Sequence, residues 1–313
     1  MRWQGEGMRA AIYDSFAPDN SRLKVSDVSE PKVGPGQVLI EVRAAGVNPV
    51  DWKVMAGGLD GMMDAVFPVI PGWDVAGVVR ALGPDTPEFA PGDEVMSYAR
   101  KDAVGAGTFA EYVAVAADHV ANKPAALDWN QAGGLPLAGM TAQRALDRLE
   151  IGPDDVLLIH AASGGVGGLA VQIARERGAR VIGTASEKNH GYLRELGAEP
   201  VAYGEGLADR VGELAPGGVS AVADFAGGQL DTTLAVLRPD GRHVSVADNE
   251  VEKHGGHWIW VRPDGAKLAD LAALADRGAL KVDVAETFSL DRVGDAFDAS
   301  RTTHTRGKLI ITP

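Results

Sequence analysis

The chain has 313 residues, 45% hydrophobic and 23% charged, which suggests two globular domains and excludes a disordered polyelectrolyte. Its 43 Asp and Glu against 30 Lys and Arg leave a net charge of -13, which repels phosphate backbones and argues against nucleic acid as a partner. Cysteine is absent, so disulfides, thiolate zinc sites and iron–sulfur clusters are excluded, and no run of about 18 apolar residues offers a membrane span.

Residues 1–7 (MRWQGEG) lack the apolar core of a signal peptide and read as a disordered extension, because Met8 opens a more strand-like start. A cytoplasmic protein is the simplest expectation. The next stretch, to about residue 120, is β-rich. Val38, Ile40, Val42 and Ala44 alternate with polar or smaller neighbours, the signature of a half-buried strand. Further short strands fit 8–13, 23–28, 73–80, 93–97 and 108–115, separated by Gly34-Pro35-Gly36, Gly83-Pro84-Asp85 and Pro91-Gly92-Asp93. This spacing predicts a small barrel or sandwich.

The texture changes at Lys123-Pro124. A helix from Trp129 to Leu149 follows, N-capped by Asp128 and broken near Gly133-Gly134-Leu135-Pro136. Val156 to His160 is an apolar run suited to a buried parallel strand, and 166–177 reads as a helix with Val166, Leu169, Ala170, Ile173 and Ala174 on one face. A strand at 180–184, a helix at 187–196 and strands at 219–224, 242–247 and 258–261 complete a βαβ succession, which predicts a doubly wound parallel sheet. The tail, with strands at 282–286 and 308–312 around a helix at 291–300, is expected to return to the first domain. The domains are therefore read as 8–122 with 279–313, and 123–278.

The strongest local signal lies between the 156–160 strand and its helix, in Ala161-Ala162-Ser163-Gly164-Gly165-Val166-Gly167-Gly168. Ala162 to Gly167 is an A-x-G-x-x-G variant of the dinucleotide turn. Small residues there let backbone approach a pyrophosphate, and helix-start N–H groups bind it. A rival reading makes Ser163 the nucleophile of an α/β-hydrolase elbow, with His304 later in the chain. It lacks the first glycine, where Ala161 stands, and leaves Gly167 and Gly168 unexplained. At the end of the following strand an acid would bind a ribose 2′-hydroxyl and repel a 2′-phosphate. Ala185 stands there instead, followed by Ser186 and Lys188, which favours NADPH; Glu187 and Lys188 also read as a solvated first helical turn.

With these stretches, Ala45-Gly46-Val47-Asn48-Pro49-Val50-Asp51, Pro71-Gly72-Trp73-Asp74-Val75-Ala76-Gly77, Gly92-Asp93-Glu94-Val95, Gly107-Thr108-Phe109-Ala110-Glu111-Tyr112, Gly139-Met140-Thr141-Ala142 and Gly307-Lys308, the chain resembles the medium-chain dehydrogenase/reductase superfamily, in its zinc-free quinone oxidoreductase (zeta-crystallin-like) and enone reductase branch. The resemblance covers nearly all of 8–313. It implies a Rossmann domain, a GroES-like β-rich substrate domain completed by the tail, NADPH as cofactor and a homodimer. It maps the 2′-phosphate pocket onto Ser186, Lys188 and Tyr203, the pyrophosphate turn onto Ala162, Ser163, Gly164, Gly165, Val166 and Gly167, a cofactor-lining residue onto Thr141, and two nicotinamide loops onto Phe225-Ala226 and Val246-Ala247.

Departures from the family pattern carry information too. Zinc-dependent relatives carry Gly-His-Glu where this chain has Gly72-Trp73-Asp74, so no metal is expected. His254 and His257 have a spacing that suits a metal but no evident further ligands. Without zinc, another donor must meet the charge that hydride transfer places on a carbonyl oxygen. Asn48-Pro49-Val50-Asp51-Trp52-Lys53 resembles the Asn-Pro-Val-Asp-x-Lys pattern of plant enone reductases, which puts Lys53 at the enolate; Lys53 reads equally as a solvated loop lysine. Asn48 is a candidate for binding substrate or cofactor, Asp51 for capping the next helix, and Tyr98 for a second donor. Trp258 and Trp260 fit a pocket wall, a core or an interface. The expected activity is NADPH-dependent reduction of a quinone or an α,β-unsaturated ketone or aldehyde. The alternatives are a dedicated reductase of a biosynthetic intermediate and an NADPH-binding structural or sensor protein without turnover.

Overall fold

The computed structural model describes residues 7–302 and 305–313. Of the expected extension, residues 1–6 lie outside that range, as does His304, whereas Gly7 opens the first strand. Packing divides the chain into two units, one running to Leu137 and resuming at Arg262–Pro313, the other comprising Ala138–Val261.

The first unit begins with β1 (Gly7–Ile12) and β2 (Lys24–Ser29), an antiparallel pair. Then come β3 (Gln37–Val47), α1 (Pro49–Met55), β4 (Ala65–Ile70), β5 (Asp74–Leu82), β6 (Glu94–Tyr98), β7 (Val104–Ala106), β8 (Tyr112–Ala116), β9 (Val120–Asn122) and α2 (Trp129–Gly134). β3 is longer and deeper than its alternation suggests. It pairs with β5 and with β8, so Val38, Leu39 and Ile40 are all fully buried. The strand expected at 108–115 begins only at Tyr112. The N–H groups of Thr108 and Phe109 go to Pro71 and Gly72 carbonyls, and that of Glu111 to Arg9, so these residues are tied to other partners.

α3 (Pro136–Arg148) leads into the second unit. There β10 (Val156–His160), α4 (Gly165–Glu176), β11 (Arg180–Ala185), α5 (His190–Glu195), β12 (Glu199–Ala202), α6 (Leu207–Leu214), β13 (Val219–Asp224), α7 (Leu230–Val236), β14 (Leu237–Ser245) and β15 (His257–Trp258) follow. All six strands run parallel in the order β12-β11-β10-β13-β14-β15. The order reverses between β10 and β13, the switch point at which doubly wound sheets bind ligands beyond their carboxyl ends. β14 ends before Val246, whose N–H turns to the Asp224 carbonyl, and β15 stops at Trp258 rather than continuing to 261.

The chain then returns to the first unit with α8 (Gly265–Asp276), β16 (Val284–Ser289), α9 (Val293–Arg301) and β17 (Lys308–Thr312). β17 pairs antiparallel with β3 and completes a sheet ordered β16-β17-β3-β5-β6-β9. The unit boundaries differ from the 122/123 and 278/279 read from composition. α2 packs on β3 and β5, and α8 packs on β9, so both helices cluster with the first unit. No helix among the described residues is long and apolar enough to cross a membrane.

Candidate functional site

In the second unit, β10 passes into α4 through a turn in which Ala161 holds φ 55°, the left-handed region. Its N–H donates to Thr184 Oγ1 at 3.0 Å, and the Ala162 N–H donates to the Thr184 carbonyl at 3.0 Å, which pins the turn to β11. A Cβ on Gly167 would stand 2.2 Å from the Ala161 carbonyl oxygen, and one on Gly183 would stand 2.7 Å from Ala162 Cβ. The helix therefore starts unusually close to the strands. The N–H groups of Gly165, Val166 and Gly167 precede the first helical bond, from Gly168 N–H to the Gly164 carbonyl. This close backbone cradle fits a pyrophosphate.

At the ends of β10 and β11, Asn189 Nδ2 donates to Ser163 Oγ at 3.3 Å and Ser186 Oγ at 3.4 Å, joining the two serines. Ala185 is buried and Lys188 is exposed. Tyr203, beyond β12, is 56% exposed, and the Arg210 guanidinium fastens its loop by donating to the carbonyls of Ala202 and Glu205 at 2.8 Å. Asp224 ties the two expected nicotinamide loops together. Its Oδ1 accepts from the N–H groups of Ala226 and Gly227 at 2.9 Å, and its Oδ2 accepts from Ser245 Oγ at 2.9 Å. Ser245 Oγ in turn accepts from Ala247 and Asp248 N–H. His160 lies beside Asp224 in register; burial holds its imidazole below the usual range, towards the neutral form. Thr141 is buried on α3.

The first unit gathers Asn48, Asp51, Asp74 and Lys308. Asn48 opens α1, and its backbone N–H donates to Asp51 Oδ2 at 2.8 Å, closing a capping box. Its side-chain Nδ2 donates to Asp74 Oδ2 at 2.9 Å, and its Oδ1 accepts from Lys308 Nζ at 2.5 Å. Lys308 also donates to the Val47 carbonyl at 3.1 Å and lies 3.8 Å from Asp74, whose Oδ1 accepts the Leu137 N–H at 2.7 Å. Burial raises the Asp51 carboxyl to about 8 and the Asp74 carboxyl to about 6. Asn48 thus engages both ends of its amide in this network, and its Nδ2 also donates to the Gly46 carbonyl at 3.4 Å. Tyr98, 1% exposed, stacks edge-on with Trp73 at 6.2 Å, and burial pushes its hydroxyl up. Lys53 lies on the exposed side of α1, with its ammonium 5.5 Å from the Trp52 ring.

The structure brings Asn48 and Tyr98 together around Asp74 and leaves Lys53 at the surface. Asp74, Lys308, Asn189, Thr184 and Asp224 were not read as functional from sequence, though Asp74 and Lys308 sit in the quoted motif stretches. A zinc ion finds no fit at Gly72-Trp73-Asp74: the Trp73 indole packs on Tyr98, and both Asp74 oxygens are committed to Asn48 and Leu137. Among the described residues no group of three or more His, Asp or Glu is placed to hold a metal, and His254 and His257 are exposed.

Residues 34–125 match the alcohol dehydrogenase GroES-like domain family, and 196–311 match the family described as zinc-binding dehydrogenase. A chloroplastic quinone oxidoreductase of Triphysaria versicolor is 30% identical, with 99% of each chain covered. A chloroplastic NADPH-dependent alkenal/one oxidoreductase of Arabidopsis thaliana is 33% identical, covering 98% of this chain and 80% of that protein. The solved quinone oxidoreductase of Coxiella burnetii superposes with a TM-score of 0.88 at 33% identity, over 98% of this chain and 100% of that one.

Proposed function

This chain belongs to the medium-chain dehydrogenase/reductase superfamily, and we propose that it reduces quinones or α,β-unsaturated ketones and aldehydes with NADPH and without zinc. The observation that carries the reading is the set of polar groups at the ends of β10, β11 and β12. Ser163, Ser186 and Asn189 cluster where no carboxylate stands at Ala185, with Lys188 and Tyr203 on the neighbouring turns. When bound, NADPH supplies hydride. The α4 start receives the pyrophosphate, and Ser186, Lys188 and Tyr203 meet the 2′-phosphate. Thr141 and the loops held by Asp224, at Phe225-Ala226 and Val246-Ala247, orient the nicotinamide.

On the substrate side, charge builds on the carbonyl oxygen as hydride arrives at the conjugated carbon. Lys53 donates a proton to that oxygen from the solvent side of α1, and Tyr98 supports the carbonyl. Asn48 acts at one remove, by holding the start of α1 against Asp74 and Lys308. A homodimer in the cytoplasm completes the proposal.

The test is initial-rate NADPH and NADH oxidation against a panel of quinones, enones and enals at fixed ionic strength. Turnover should favour NADPH by about a hundredfold in kcat/KM, from two charge-assisted contacts discounted for solvent. Equal rates with both cofactors would remove the 2′-phosphate pocket. NADPH binding without oxidation by any acceptor would leave a binding protein.

A further inference from the structure

With 43 acidic residues available, a shielded cation in this chain readily finds a carboxylate. Among the described residues, the Lys and Arg side chains withdrawn from full exposure nearly all do so. Lys123, Arg177, Arg180, Arg242, Arg301 and Lys308 each pair with an Asp or Glu, and Arg210 forks onto backbone carbonyls. Arg100 and Lys101 are the exceptions. Both are partly buried, and neither makes an ion pair among the described residues. Among the described residues Arg100 meets the Lys101 carbonyl at 3.5 Å and the Tyr98 hydroxyl but no carboxylate, and its Nε is buried without a hydrogen-bond partner. Burial depresses the Lys101 ammonium.

Two adjacent, shielded and unanswered cations are unfavourable unless something anionic meets them. Their place in the fold says what that is. They follow β6 directly, two and three residues after Tyr98, at the edge of the region where Trp73, Asp74 and Tyr98 meet; Asp74 and Tyr98 are register partners across β5 and β6. Resting on the reductase reading above, we propose that Arg100 and Lys101 bind a carboxylate carried by the substrate, so that the preferred acceptors are enones or quinones bearing an acid group. A planar guanidinium beside an ammonium suits a carboxylate. The overall negative charge of the chain disfavours a polyanion at the same place.

The test compares (E)-4-oxo-2-pentenoate with its methyl ester as acceptors for the wild type, Lys101→Met, Arg100→Gln and Arg100→Lys. The readout is the acid-to-ester ratio of kcat/KM, in which the intrinsic reactivity of each double bond cancels between variants. Loss of one charge-assisted contact should lower that ratio about tenfold or more in Lys101→Met and Arg100→Gln, with Arg100→Lys intermediate. 4-Oxopentanoate, which lacks the double bond, should compete with the ester in the wild type and compete less well in both variants. An unchanged ratio, or an equal loss on acid and ester, overturns the proposal while leaving the reductase reading intact. If neither acceptor is reduced, the reductase reading is decided by the panel of quinones, enones and enals described above, and calorimetric binding of 4-oxopentanoate decides the anion site: binding weakened by Lys101→Met supports it, and no binding to the wild type overturns it.

Discussion

The turn between β10 and α4 and the buried polar network around Asp74 differ in how far apart their parts lie in sequence. The turn is drawn from consecutive residues, 161–168, with two hydrogen bonds to the single residue Thr184. The network draws on Asn48, Asp51, Asp74 and Lys308, the last of which is 260 positions from Asn48. The turn works by backbone shape and by the absence of side chains. The network works by side-chain complementarity in a place where an unanswered charge is costly. One region should therefore fail by steric intrusion, the other by loss of a partner.

The sharpest test of the turn is Gly167→Val. A side chain there meets the Ala161 carbonyl at a distance that only backbone movement relieves. NADPH affinity, measured by calorimetry, should fall by at least about a hundredfold with the far-UV spectrum preserved, since the anion cradle depends on that approach. Retained affinity would mean that the turn does not hold the pyrophosphate. For the network, Lys308→Met leaves Asp74 and Asn48 without their cation inside the protein. Urea unfolding should show a loss of about 3–5 kcal/mol, as for a broken buried pair, with NADPH affinity unchanged. A loss below about 1 kcal/mol would show that the network is not held by charge.

Smaller effects sharpen the contrast at the rims of the two regions. Lys188→Ala should weaken NADPH about tenfold in kcat/KM and leave NADH nearly untouched, because an exposed ion pair contributes modestly. Ala185→Asp should shift preference further towards NADH. Equal loss for both cofactors would detach Lys188 from the 2′-phosphate. Lys53→Met should lower kcat for an enone roughly tenfold with the melting temperature unmoved, since Lys53 is exposed and outside the network. An unchanged kcat/KM would return it to the solvated lysines. The smallest expected effect is none at all: dialysis against a strong chelator should leave activity intact, and loss of stoichiometric zinc together with activity would refute the metal-independent reading.

Legibility followed the same division. The Rossmann turn was readable because its signal is local, small residues between an apolar strand and an amphipathic helix, and β10, α4 and β11 lie within a residue or so of their expected bounds. The network was not readable as a network. Asp74 and Lys308 stood in recognised stretches, but nothing in one stretch names its partner in another; only the pairing of β17 with β3 brings Lys308 to Asn48. β4 and β7 are not legible because β7 has three residues and β4, with Pro68 inside it, makes only an interrupted pairing with β7 and a single bridge from Val69 to Tyr13. α8 is not legible although Leu268, Leu271, Ala272 and Ala275 carry helical spacing and, with Gly265, are the residues it buries. Alanine-rich faces are quiet in a hydrophobicity pattern, and the glycines around them draw the eye to turns.

Arg210 has a consequence for timing. Its guanidinium collects the carbonyls of Ala202, Tyr203, Gly204 and Glu205 from the first turn of α6, so the segment carrying Tyr203 is held by the protein's own hydrogen bonds. Ordering that segment is then charged to folding instead of to the encounter, and a ligand arriving at Tyr203 forfeits less conformational entropy. Recognition at this edge of the sheet is thereby closer to docking on a finished surface than to closing a loop around a guest.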